Sequence, residues 1–62
     1  MSDHSARDDA FDRGNSNLAL GALEEAESAY RESVEFDDSF FDGWQALGMT
    51  LLKLEKVNSR FL

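Results

Sequence analysis

Ser5 and Ser39 stand 34 residues apart, and each is followed three positions later by an aspartate, Asp8 and Asp42. At the same offset Gly14 matches Gly48, Leu18 matches Leu52, Leu20 matches Leu54, and Ala10 stands opposite Trp44. A self-match at this period is the mark of stacked helix–turn–helix units, each too small to bury its apolar face alone. With 62 residues, the chain holds less than two full periods. A chain of this size buries only about 60% of its unfolded surface and is marginal alone. It has no cysteine, so no disulfide can staple it.

Three helical stretches read out. The first covers residues 6–20, with Ser5 and Asp8 as a capping box at its start. Gly21 follows, where a left-handed residue ends a helix. The second covers residues 24–36. Its face steps through Ala26, Tyr30 and Val34, and Glu24, Glu25 and Glu27 lie at the favourable end of the dipole. Glu27 and Arg31 form an i,i+4 pair. The third covers residues 40–54, capped by Ser39, with Trp44, Leu47, Gly48 and Leu51 as its stripe. Asp37-Asp38-Ser39 is the turn before it. Val34-Glu35-Phe36 alternates like a strand but lies within helical periodicity. The fold class is all-α, an antiparallel array of three helices. Residues 1–4 read as a flexible N-terminus, 5–57 as the helical domain and 58–62 as a short tail.

Charge narrows the function. The net charge of −7 argues against binding a phosphate backbone, so no nucleic-acid partner is expected. It is uneven: residues 1–50 carry twelve acids against three arginines, −9, and residues 51–62 carry Lys53, Lys56 and Arg60 against Glu55, +2. The two ends attract one another, within or between molecules, or they are solvated helix faces. Apolar runs are too short to span a membrane. The opening Met1-Ser2-Asp3-His4 has no basic or apolar region of a signal peptide, and a cytoplasmic location is the default.

Catalysis finds no foothold. The lone histidine, His4, falls in the expected flexible end, and hydrolysis by a serine needs a positioned base. The pairs Asp8-Asp9, Glu24-Glu25 and Asp37-Asp38 sit at helix starts and turns, where capping and solvation account for them. Asp37 to Gly43 hints at a calcium loop, but Phe41 and Asp42 occupy positions five and six, where a ligand and a glycine belong. There is no phosphate-binding glycine loop. No catalytic residue, metal or cofactor is expected. An enzymatic role is left only as part of a larger assembly.

The third stretch reads Trp44-x2-Leu47-Gly48-x2-Leu51, and the second reads Ala26-x3-Tyr30 behind Glu24-Glu25. With the 34-residue period, these resemble the tetratricopeptide repeat, W-x2-L-G-x2-Y then A-x3-F then Pro. On this alignment residues 7–40 are one full repeat and residue 41 onward is helix A of a second, about one and a half repeats in all. The resemblance implies close helix contacts at Gly14 and Gly48, Ala26 facing Gly14, and Tyr30 and Trp44 as plugs. Gly48→Leu is then expected to overpack the helix contact. It also implies a non-catalytic module that holds a peptide or partner protein on its helix A surface. The residues of that surface include Phe11, Asp12, Asn15, Gln45, Met49 and Leu52, a mixture suited to a basic and apolar segment. Of the carboxylate-clamp set of one subgroup, only Asn15 is in place, with Phe11 and Ala46 at clamp positions.

The departures from the pattern matter as well. Ala10, Arg13 and Asn17 give the first helix the polar face of a terminal cap. Asp38 stands for the proline, Glu55 for the glycine between helices, and Arg60 for the small alanine. The second repeat is cut in half. This leaves Leu47, Leu51, Leu54 and Val57 short of cover, so the alternative function is self-assembly into a homo-oligomer through that face.

Overall fold

The structure, a computed structural model, describes residues 4–59. Within them the chain is three helices, α1 (His4–Ala19), α2 (Leu23–Phe36) and α3 (Phe41–Ser59), with no strand among the described residues. The expected all-α array is therefore correct. The helix ends differ from the sequence reading at every boundary but the end of α2. His4 and Ser5 are already helical, so Ser5 lies inside the first turn instead of capping it. α3 starts at Phe41 and runs on through Ser59, so part of the expected tail is helix. Residues 1–3 and 60–62 of the expected flexible end and tail lie outside the described residues.

Local chemistry sets both turns. Gly21 has φ of 79°, and its N–H donates to Leu18 C=O at 3.0 Å while Ala22 N–H donates to Asn17 C=O at 2.9 Å. This pair of bonds is the Schellman closure that a left-handed glycine allows. After α2, Asp37 Oδ1 accepts from Ser39 N–H at 3.1 Å and from Ser39 Oγ at 2.7 Å, and Phe40 N–H returns to Asp37 C=O at 3.0 Å. The Ser39 hydroxyl is thus given to the turn and does not cap α3. Phe40 holds that position, its carbonyl accepting from Gly43 and Trp44 N–H.

Short turns make neighbouring helices antiparallel. Arg7 meets Asp37, Arg13 meets Glu32 and Asn15 meets Tyr30, so partners retreat along α2 as α1 advances. α3 packs on the other side of α2. Gly43 lies against Ser33 and Val34, and Leu54 shares a depression with Leu23 at the opposite end. α1 and α3 consequently run parallel to each other.

The core is Ala10, Ala26, Ala29, Tyr30, Val34 and Leu47, with Phe11, Leu18 and Ala46 packed against it. Two polar residues are buried among them. Each satisfies its hydroxyl within its own helix: Ser33 Oγ donates to Tyr30 C=O at 2.6 Å, and Thr50 Oγ1 donates to Ala46 C=O at 2.8 Å. A Cβ on Gly14 would run into the Tyr30 ring, so the close contact expected at this position is present, with Tyr30 and not Ala26 as its nearest neighbour.

The other half of that expectation is corrected. Nothing lies within 4 Å of a Cβ built on Gly48, whereas one on Gly43 would come within 2.8 Å of both Phe40 Cδ2 and Ser33 Oγ. Gly43 is where α3 closes on α2. Trp44 and Leu51, read as core, are 49% and 43% exposed. The reason is rotational. The stripe that meets α2 is Gly43, Leu47, Thr50 and Leu54, and Trp44, Gly48 and Leu51 turn outward, where no described segment covers them.

Candidate interaction surface on the third helix

α1 is fastened by its own polar side chains, and this decides which surfaces stay open. Arg7 spans from α1 to the second turn, pairing with Asp37 at 2.8 Å and with Asp8 at 2.9 Å, while its guanidinium lies 4.3 Å from the centroid of the Phe40 ring. The Ser39 hydroxyl, the Arg7 guanidinium and the Ser39 amide hold the Asp37 carboxyl below its ordinary value. Asp37 and Asp8 in turn raise Arg7. Glu27 and Arg31 pair within α2 as expected, at 2.5 Å.

A carboxylate with a lowered folded pKa binds fewer protons in the native state than in the unfolded chain. Its contribution is present above the unfolded value, near 4, and is lost as pH falls through the lower folded value. Asp37→Asn should therefore melt below wild type near neutral pH, with the gap closing as pH drops below about 4. Thermal melts across this range test the coupling, and a gap independent of pH would refute it.

The six residues expected on a binding surface divide. Phe11 faces inward, its ring 5.6 Å from Tyr30 and 5.2 Å, edge-on, from Phe40. Asn15 Oδ1 accepts the Tyr30 hydroxyl at 2.6 Å. Both serve the packing of α1 on α2. Asn15 is nonetheless exposed, as are Asp12, Gln45, Met49 and Leu52. Of the four expected on a self-association face, Leu47 is buried against α2, Leu54 is half-buried, and Leu51 and Val57 are exposed.

Two apolar areas result. One is an open groove of about 690 Å³ bounded by Leu18, Gly21 and Leu23 on one side and Met49, Lys53, Lys56 and Val57 on the other. Leu23 is not singled out from sequence, and Lys53 and Lys56 enter there as charge and not as part of a binding surface. The signal was available in Met49, Lys53 and Lys56, which recur at helical spacing beyond the expected stripe. Along α3 the stripe Asp42, Gln45, Met49, Lys53 and Lys56 is acidic at its start and basic at its end. The second area is the outer face of α3, where Phe41, Trp44, Leu51 and Leu52 surround Gly48. The Trp44 indole N–H donates to Asp38 C=O at 2.7 Å, which steadies the ring at the surface.

The described residues contain no group of three His, Cys, Asp or Glu able to hold a metal ion. Among them, no helix is long and apolar enough to cross a membrane. The chain has no match among family models, curated proteins or solved structures.

Proposed function

We propose that the chain is a non-catalytic, tetratricopeptide-like interaction module that holds a protein partner on α3. The observation that carries this reading is the amount of apolar side chain left in the open on a single helix. Phe41, Trp44, Met49, Leu51, Leu52 and Val57 are all more than two-fifths exposed. Isolated exposed leucines need no explanation, but contiguous apolar surface on a small domain marks an interface. The groove supplies shape, with Lys53 and Lys56 in its lining, and the exposed Asp12 and Asp42 lie beyond that lining on α1 and α3. A segment with apolar side chains in its middle and basic residues at its leading end suits that order.

Selection from a displayed peptide library tests it. Basic–apolar sequences should be enriched, and Met49→Glu should weaken the selected peptide at least tenfold while far-UV circular dichroism stays that of wild type. Met49 is exposed, so this variant reports on the surface and not on folding. A library that yields no such peptide, or one whose binding ignores Met49→Glu, would count against the groove.

A further inference from the structure

We infer that the groove beside α3 selects an acidic side chain as well: the docked segment carries an aspartate or glutamate about one turn from its apolar anchor, seated on Lys53. This adds a second charge requirement to the partner of the groove and so rests on the reading above.

The cations of the chain are not alike. Arg7 pairs with Asp8 and Asp37, Arg13 with Glu32 and Arg31 with Glu27, so each is spent on the fold itself. Lys53 is exposed and has no ion pair among the described residues, although the chain carries 13 acids. Its place is the lining of the groove, with Leu18, Leu23, Met49 and Val57 around it and Lys56 one turn further on. No carboxylate shares that lining among the described residues. The groove is thus apolar with a positive edge, in a molecule of net charge −7.

Burial turns this into a requirement. Lysine lays its apolar stem along such a surface and keeps its ammonium in water. A segment pressed on Leu18, Leu23 and Met49 takes part of that water away. An ammonium that loses water without gaining a partner is costly, and a basic side chain set beside it adds repulsion. A carboxylate on the segment restores the lost contacts with a charge-assisted hydrogen bond.

Spacing along α3 places that carboxylate. Lys53 lies one turn, about 6 Å, beyond Met49 on the same face of the helix. In a helical segment the acid therefore falls three or four residues from the apolar side chain over Met49. In an extended segment it falls about two residues away. Asp42, which suits the basic end of the segment, lies about 16 Å from Lys53 in the other direction along α3. The occupant is a bipolar segment of another protein. A second copy of this chain fits less well, because two molecules of net charge −7 repel.

The test uses the full chain and a displayed library of random segments held between fixed flanks, so that no free terminus supplies the carboxylate. Selected sequences should carry Asp or Glu at the stated spacing from a large apolar residue. Changing that acid to lysine should weaken binding about tenfold, and by more at low salt than at high. Lys53→Glu should lose the original peptide by a similar factor and regain the lysine-bearing one. Lys53→Met, which keeps an apolar stem without the charge, should still select apolar segments but no acid. Lys53 is exposed, so both variants should keep the far-UV circular dichroism of wild type. Peptides that depend on Met49 yet show no acid, or that bind Lys53→Glu as well as wild type, overturn the inference and leave the docking reading standing. A selection with no Met49-dependent peptide removes both. Self-association of the chain that Lys53→Glu abolishes would put a second copy in the groove and overturn the inference too.

Discussion

Tyr30→Ala is expected to unfold most of the chain at room temperature. Tyr30 is fully buried, and it joins all three elements. Its ring fills the space opened by Gly14 on α1, stacks at a tilt on Phe11, which in turn meets Phe40 in the turn before α3, and shares one core cluster with Leu47 of α3. Removing a large buried aromatic costs about 3–5 kcal/mol. A chain of this length has a total stability of roughly 3–9 kcal/mol, so the loss is comparable with the whole. Gly14 makes it worse, because a helix with no side chain at that position cannot fill the hole from the other side. Tyr30→Phe separates packing from the hydroxyl. It leaves the ring in place and frees Asn15 Oδ1, which is near solvent and can be rehydrated, so about 1 kcal/mol is lost. Burial also raises the Tyr30 pKa. The native state therefore favours the protonated phenol, and this contribution is intact below pH ~10 and lost as pH rises through the folded value. Wild type should lose stability in alkali in a way that Tyr30→Phe does not. Thermal melts by circular dichroism settle the matter, and a Tyr30→Ala chain melting within a few degrees of wild type would show that the core is not centred there.

Sequence alone yields the three helices because their boundaries are written in local chemistry. Gly21 ends α1 through its left-handed φ, and the Asp37 carboxylate organises the next turn from two residues away. The pairing of α1 with α2 is equally legible, since Ala26, Tyr30 and Val34 form a single stripe opposite the one small residue, Gly14, that admits the Tyr30 ring. The rotation of α3 about its own axis is not. α3 carries apolar side chains nearly all round, so spacing identifies a helix without choosing the face that meets α2. Leu47 belongs to both candidate stripes, and Gly48 looks as good a contact point as Gly43. The choice falls to Gly43 because Ser33 and Val34 approach there. Thr50, four residues from Ala46, hides its hydroxyl on that carbonyl and so can be buried without a partner on α2. The same rotation decides the candidate surface. It carries Trp44 and Leu51 out of the core and onto the open outer face, and it brings Met49 and Lys53 round to the groove beside Leu18. Phe11 and Asn15 are engaged within the molecule: half-buried Phe11 packs its ring on Tyr30 and Phe40, and Asn15, which stays exposed, accepts the Tyr30 hydroxyl.

Gly43→Leu and Gly48→Leu should shift stability in opposite directions, although the two sites lie five residues apart on one helix. At Gly43 even a Cβ meets Phe40 Cδ2 and Ser33 Oγ at 2.8 Å and Val34 Cγ1 at 2.9 Å. These atoms come from α2 and from the turn, so relief on one side tightens the other. Overpacking of this kind costs about 1–3 kcal/mol, and a leucine that must force α3 off α2 belongs at the upper end. Replacing a mid-helix glycine by leucine returns a little under 1 kcal/mol of helix propensity, leaving a net loss of about 2 kcal/mol. For a domain this small, that lowers Tm by on the order of 10 °C. At Gly48 only the propensity gain remains, and Tm should rise by a few degrees. Melting is followed at low micromolar chain, so that any association between chains does not contribute. If Gly48→Leu proves the more damaging of the two under those conditions, α3 is rotated from the arrangement described, and Trp44 and Leu51 return to the core.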